Sequence, residues 1–324
     1  MKEITINALN QNQRLDKYIM KLLNTAPKSL VYKLLRKKKI KLNGKRAEGN
    51  ELLREGDVIR IYLGSDTLEG MAAEKELPRV PNELNIIFED ENILACSKPA
   101  GLLSHGQNKN EDSLISRIWL YLNKKGEYDT GKNSDFTPAL CNRLDRNTSG
   151  LVLCGKNLPA LQELNRIMAE NRGDKLYLAL VEGRLDTSGV LEGYHIKNPK
   201  TNEARITQKA EIGGKPVRTE YEPLTFLSGC TLLRIKLISG KSHQIRAHMQ
   251  SIGHPLAGDP KYQDKRINAM FKEKYGLKSQ LLHSERFIFT EPEGVLAYLK
   301  GKELTAPLNG IFEKILEELH DFNG

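Results

Sequence analysis

Asp145 stands between two arginines, Arg143 and Arg146, in the stretch Asn142-Arg143-Leu144-Asp145-Arg146-Asn147-Thr148-Ser149-Gly150. Opposite charge within a few ångströms favours the ionised carboxylate, so these neighbours are expected to keep Asp145 an anion at neutral pH. Such an anion can act as nucleophile or base if it is shielded from bulk water. The same charges also fit an exposed ion pair capping a turn, which is a weak interaction. A second polar cluster runs from Gly240 to His248, Gly-Lys-Ser-His-Gln-Ile-Arg-Ala-His. Its Gly-Lys-Ser suggests a phosphate loop, but that motif needs a glycine where Ile235 stands. His243, His248 and His254 are five and six residues apart, which does not gather them on one helical face. No metal is expected there.

These residues need elements to hold them. Leu151 to Cys154 is a short apolar run that reads as a buried strand directly after the Asp145 stretch. Asn85 to Phe88 and Ile93 to Cys96 read as two strands joined by the turn Glu89-Asp90-Glu91-Asn92. Lys98-Pro99-Ala100-Gly101 ends the second and leads to Ser104-His105-Gly106. Helical spacing marks Ser113 to Asn123, which carries Trp119, the sole tryptophan, and Leu158 to Met168. Lys175 to Gly183 is strand-like, and strands dominate Val217 to Ile238 with Ser228-Gly229 as a hairpin turn. The Gly240 cluster opens a helix, and Leu304 to Leu319 holds a turn and an amphipathic helix.

The first 62 residues have their own organisation. Leu15, Tyr18, Ile19, Leu22 and Leu23 mark one helix, and a second begins near Ser29 as its cap. Ile40-Lys41-Leu42 alternates like a strand, Asn43-Gly44 signals a hairpin, and Val58 to Tyr62 gives a later strand. Lys28, Lys33, Arg36, Lys37, Lys38, Lys39, Lys41, Lys45 and Arg46 lie here with no acidic residue among them. These nine charges equal the net +9 of the whole chain. A patch of that density predicts salt-sensitive RNA binding with little sequence choice. From Gly64 to Pro81 the sequence is mixed, polar and aperiodic, as expected of a linker.

The 324 residues suffice for two domains, and 39% hydrophobic with 28% charged residues describes a globular chain. A pI near 9.2 favours a polyanionic partner, with nucleic acid ahead of an anionic membrane. No run approaches the roughly 20 apolar residues of a spanning helix. The start, Met1-Lys2-Glu3-Ile4-Thr5, lacks a signal-peptide pattern. Cys96, Cys141, Cys154 and Cys230 form no Cys-x-x-Cys and are expected to be reduced core residues of a cytoplasmic protein, a monomer.

Arg-Leu-Asp-Arg-Asn-Thr-Ser-Gly (143–150) resembles the signature of the RluA family of RNA pseudouridine synthases. Lys-Leu-Tyr-Leu-Ala-Leu-Val-Glu-Gly (175–183), the 240–248 cluster and His-Pro-Leu-Ala-Gly-Asp (254–259) resemble further segments of that family, in family order. Asn142 departs from the histidine many members carry. Residues 13–62 are similar to the alpha-L RNA-binding domain of ribosomal small-subunit protein four. The resemblance implies an α+β protein. Its first domain would be the alpha-L type, with the start of a linker (1–78). A pseudouridine synthase domain (79–324) would follow, with a mostly antiparallel central sheet flanked by helices. It implies that Asp145 is catalytic, that Tyr177 lies in the active site, and that Arg246 pairs with Asp145 through a bidentate contact. Arg143, two residues away, would share the side of Asp145 if the chain is extended, and could fill the gap left by a flipped uridine. The implied reaction isomerises uridine in structured RNA, large-subunit ribosomal RNA ahead of tRNA, and needs no cofactor. A non-catalytic RNA-binding or ribosome-assembly factor, or a glycoside hydrolase using a second carboxylate, would be the alternatives.

Overall fold

The computed structural model describes all residues except 73–75, 109–110, 131–135, 199, 202, 264 and 322–324. The N-terminal part begins with β1 (Lys2–Thr5), α1 (Leu15–Leu22) and α2 (Lys28–Arg36). It continues through β2 (Ile40–Leu42), β3 (Lys45–Arg46), β4 (Val58–Ile61) and α3 (Ser65–Gly70). Its strands form an antiparallel sheet in the order β1-β4-β2-β3. Leu15, Ile19 and Leu22 from α1 meet Val31, Leu34 and Leu35 from α2 over Ile40, Ile59 and Ile61 of the sheet. Asn43 and Gly44 both have positive φ (51° and 76°), the conformation a two-residue hairpin requires. Two expectations need correction. Ser29 does not cap α2; Pro27 occupies the cap position, where its fixed φ of −63° suits the entry and its side chain makes no cap hydrogen bond. The stretch after Gly64 is not all linker, because α3 places Leu68 in the core just described.

The larger part adds β5 (Asn85–Glu89), β6 (Ile93–Lys98), α4 (Leu114–Lys124), β7 (Ala139–Leu140), β8 (Ser149–Gly155), α5 (Leu158–Glu170) and β9 (Gly173–Glu182). Then come β10 (Gly189–Asn198), β11 (Glu203–Thr207), β12 (Lys215–Leu227), β13 (Cys230–Leu237), α6 (Gln244–Ser251) and α7 (Lys265–Tyr275). The chain closes with β14 (Leu282–Phe289), β15 (Glu303–Thr305) and α8 (Ile311–Asp321). Nine strands run β11-β10-β12-β13-β9-β14-β8-β6-β5, with β15 beside β14 and β7 beside β8. Every described pair is antiparallel except β8 with β14.

Period-two alternation divides the core between the two faces of this sheet. Val152 and Cys154 of β8 pack with Leu94, Ile118 of α4 and Met249 of α6. Leu151 and Leu153 face the opposite way, onto Ala160, Leu164 and Ile167 of α5. Each Leu or Ile so buried contributes about 1.5–3 kcal/mol, so the central strands are fixed firmly in register. The parallel step between β8 and β14 puts the start of β8, and the loop before it, at the middle of the sheet.

Candidate active site

The loop carrying Asp145 joins β7 to β8, and a turn in which Thr148 N–H donates to the Asp145 carbonyl (3.1 Å) shapes it. Asn142 stitches it to β8: Oδ1 accepts the Leu153 N–H (2.8 Å) and Nδ2 donates to the Leu151 carbonyl (3.2 Å). Its amide thus does the work of a backbone peptide, a task local to this loop. The segment after β6 forms a cradle underneath. Ser104 Oγ donates to the Leu144 carbonyl (2.9 Å) and accepts the Leu144 N–H (3.1 Å). Gly101 N–H donates to the Arg146 carbonyl (2.9 Å), and Arg146 Nε returns a bond to the Gly101 carbonyl (3.0 Å). Lys98, fully buried, donates from Nζ to the carbonyls of Pro99, Leu102 and Arg146 at 2.9, 2.8 and 3.0 Å. Burial pulls its pKa down to about 7, while the charge of Asp145 works the other way. Three carbonyl acceptors use all three N–H bonds of the ammonium form.

Arg246 arrives from α6. The helix is seated by Gln244, whose Nε2 donates to the Arg218 carbonyl (3.1 Å) and Thr219 Oγ1 (2.9 Å) on β12. Ile245, Ala247 and Met249 are buried around it. Arg246 Nη1 donates to Asp145 Oδ2 at 3.3 Å. Its bidentate partner is a different carboxylate: Nε and Nη2 donate to Oδ2 and Oδ1 of the fully buried Asp259 at 2.6 and 2.8 Å. Burial opposes the guanidinium charge, and Asp259 with Asp145 outweighs it, so the net pKa is raised. Asp259 is held in turn by the N–H groups of Lys261 (2.9 Å) and Tyr262 (3.3 Å). The preceding Gly258 has φ +79°, and a Cβ there would lie 2.4 Å from the Ser279 carbonyl oxygen, so only glycine fits.

His243 begins α6 in the left-handed conformation, φ +56°, which turns its ring toward the loop. Its Nε2 is 3.6 Å from Asp145 Oδ2, and its Nδ1 is 3.2 Å from the Tyr262 hydroxyl. Burial lowers the imidazole pKa against the pull of Asp145. Tyr177 on β9 lies between Ile235 of β13 and Ser284 of β14 and is nearly buried. Burial pushes its phenol up to about 12; the hydrogen bond with Ser284 opposes this, and the charge of Asp145 adds to it.

Asp145 and Arg246 therefore meet, with Tyr177 near enough to feel the charge of Asp145. Two expectations are corrected. The flanking arginines do not pair with Asp145: among the described residues its ion-pair partners are Arg246 and His243. Arg143 is exposed and Asp145 half-buried, with Leu144 buried between them. Arg246 gives its bidentate face to Asp259, not to Asp145. The three histidines go to separate places, since His248 Nδ1 bonds Thr219 Oγ1 (2.8 Å) and His254 Nδ1 bonds the Glu182 carbonyl (2.8 Å). Trp119 is half-buried, its indole N–H on the Pro138 carbonyl (2.8 Å). In the N-terminal part Lys28, Lys33, Arg36, Lys37, Lys38, Lys39, Lys45 and Arg46 are exposed, while Lys41 is half-buried with Nζ over the Tyr62 ring at 5.3 Å. Lys98, His243, Asp259 and Tyr262 had no role from the sequence. His243 and Asp259 lie in the 240–248 and 254–259 segments that resemble the family, and Lys98 ends a fully buried strand; those were the signals that could have found them.

Comparison with known proteins agrees with this architecture. Residues 92–251 match the family described as RNA pseudouridylate synthase, and residues 13–59 match the S4 domain. The ribosomal large subunit pseudouridine synthase C of Vibrio parahaemolyticus is 31% identical over 96% of this chain and 94% of its own. That of Pasteurella multocida is 31% identical over 99% and 94%. A solved structure, human RNA pseudouridylate synthase domain containing 4, superposes with a TM-score of 0.57 at 20% identity, over 73% of this chain and 93% of that one. That likeness shows the fold. The chain belongs to the RNA pseudouridylate synthase family, preceded by an S4 domain. It is an RNA pseudouridine synthase, an isomerase, and RNA is its partner.

Proposed function

We propose that this enzyme converts uridines of large-subunit ribosomal RNA to pseudouridine, with Asp145 as the acting carboxylate. Relatives that match nearly the whole chain are named for the ribosomal large subunit, which supports that RNA over tRNA. One observation carries the assignment to Asp145: it is a half-buried carboxylate anchored by a buried arginine, on a loop fastened along both sides. In the reaction the N1–C1′ bond breaks, the freed uracil turns, and C5 bonds to C1′. The C5 proton leaves and N1 gains one, so no atom is gained or lost overall. Asp145 attacks C1′ to form an ester, or removes a ribose proton to give a glycal; both routes need one carboxylate oxygen free of protein donors. With its phenol neutral at physiological pH, Tyr177 suits stacking on the uracil or donating a hydrogen bond better than accepting a proton. The lysines and arginines of residues 28–46 would hold RNA phosphates. The enzyme is taken to act as a monomer. Four free cysteines suit the reducing cytoplasm.

The test is to map pseudouridines in ribosomal RNA from cells lacking the protein, then restore wild type or Asp145→Asn. Sites should vanish, return with wild type and stay absent with Asp145→Asn, although the variant still binds RNA. Loss confined to tRNA would refute the assigned substrate, and restoration by Asp145→Asn would refute the assigned residue.

A further inference from the structure

Both protein groups that approach Asp145 converge on the same oxygen. Arg246 Nη1 donates to Oδ2 at 3.3 Å, and His243 Nε2 stands 3.6 Å from Oδ2. Among the described residues no hydrogen bond reaches Oδ1, and the side chain is about one-third exposed (32%). We propose that Asp259 and Tyr262 are positioning residues that make this convergence happen, so that Asp145 presents Oδ1 alone to the ribose. The inference rests on Asp145 being the acting carboxylate.

Asp259 does its part by occupying Nε and Nη2 of Arg246, which leaves Nη1 as the end aimed at Asp145. A planar guanidinium gripped along one edge by a buried carboxylate cannot rotate to offer Asp145 a second donor. Tyr262 contacts both groups that face Asp145. Its ring lies against the Arg246 guanidinium, 5.0 Å from centroid to carbon, and meets the His243 ring edge-on at 5.9 Å. Its hydroxyl oxygen already accepts the Ala204 N–H at 2.7 Å, so the phenolic hydrogen is free to go to His243 Nδ1 at 3.2 Å. An imidazole that accepts at Nδ1 carries its proton on Nε2, the nitrogen that faces Asp145. One short segment, Asp259 to Tyr262, thereby fixes the guanidinium's aim and the imidazole's tautomer together. Asp259 also accepts the Tyr262 N–H at 3.3 Å, which couples the two.

The test uses the full-length enzyme and a ribosomal RNA fragment that it modifies, with single-turnover rates and RNA affinity measured separately. Wild-type turnover with an inactive Asp145→Asn secures the reading beneath; an inactive wild type would sink that reading and not this one. Given that, Tyr262→Phe should lower the single-turnover rate about tenfold or more while RNA affinity moves less than about twofold. Nitrogen-15 NMR of histidine-labelled protein should show His243 with Nε2 protonated and Nδ1 bare in wild type, and a mixture of tautomers in Tyr262→Phe. Asp259→Asn should also lose rate, and Asp259→Glu, which keeps the carboxylate charge, should lose less. If the histidine signals and the rate of Tyr262→Phe both match wild type, the proposal is wrong.

Discussion

The ammonium of Lys98 grips the carbonyl of Arg146 at 3.0 Å, one residue beyond the carboxylate that the rest of the site serves. A cation buried in the sheet thus sets the height of the Asp145 loop through the backbone. Replacing it with an isosteric apolar chain leaves three carbonyls without their donor. Each unsatisfied buried group costs about 1–3 kcal/mol. Lys98→Met should therefore destabilise the protein by about 3 kcal/mol or more in urea denaturation, with activity falling further than RNA affinity. Unchanged stability would show that water replaces the ammonium.

Gly150 closes the signature stretch at φ +106°, and a Cβ there would sit 2.2 Å from the Ser284 carbonyl oxygen. This is the point where β8 and β14 run parallel, with Ser284 paired to Gly150. Gly150→Ala should cost about 3 kcal/mol or more, since the clash is with backbone and not with a side chain that can move. A thermal melt lowered by only a degree or two would contradict this.

His248 gives the pH dependence. Burial lowers its pKa to about 4, helped by the charge of His195. An unfolded histidine titrates near 6.5, so the unfolded chain binds more protons between those values. The stability from keeping this ring neutral is complete above about pH 6.5 and is lost as pH falls toward 4. By pH 5 the loss is about 2 kcal/mol. Denaturation of wild type and His248→Gln at pH 7.5 and pH 5 should show the smaller pH effect in the variant.

Asn142 bonds β8 with both ends of its amide. Asn142→Ala should loosen the loop by about 1–2 kcal/mol and slow turnover without altering RNA affinity. Hydrogen exchange at the Leu153 amide, whose N–H bonds Asn142 Oδ1, should quicken.

Lys37, Lys38 and Lys39 are exposed at the end of α2. Changing all three to serine should flatten the salt dependence of RNA binding, by about 0.7–0.9 in log–log slope for each phosphate no longer neutralised. Turnover at saturating RNA should persist. An unchanged slope would remove these lysines from the RNA interface.

Sequence by itself determined whatever a short window encodes. Helical spacing located α1, α4 and α5, apolar runs located β8 and β9, and the paired positive-φ turns at Asn43-Gly44 and Ser228-Gly229 bear out two hairpins. It also singled out Asp145, Tyr177 and Arg246. Only the tertiary structure decided what surrounds them. Asp145 has arginines on both sides in the chain, yet its cation comes from α6, a hundred and one residues away, because the fold carries that helix to the loop and turns Arg146 to the Gly101 carbonyl. Asp259 captures the bidentate face of Arg246, and Lys98 lies under the loop, for the same reason. Backbone preference acts over a few residues, whereas the partner of a buried charge is chosen by which groups the sheet and helices bring within hydrogen-bond reach.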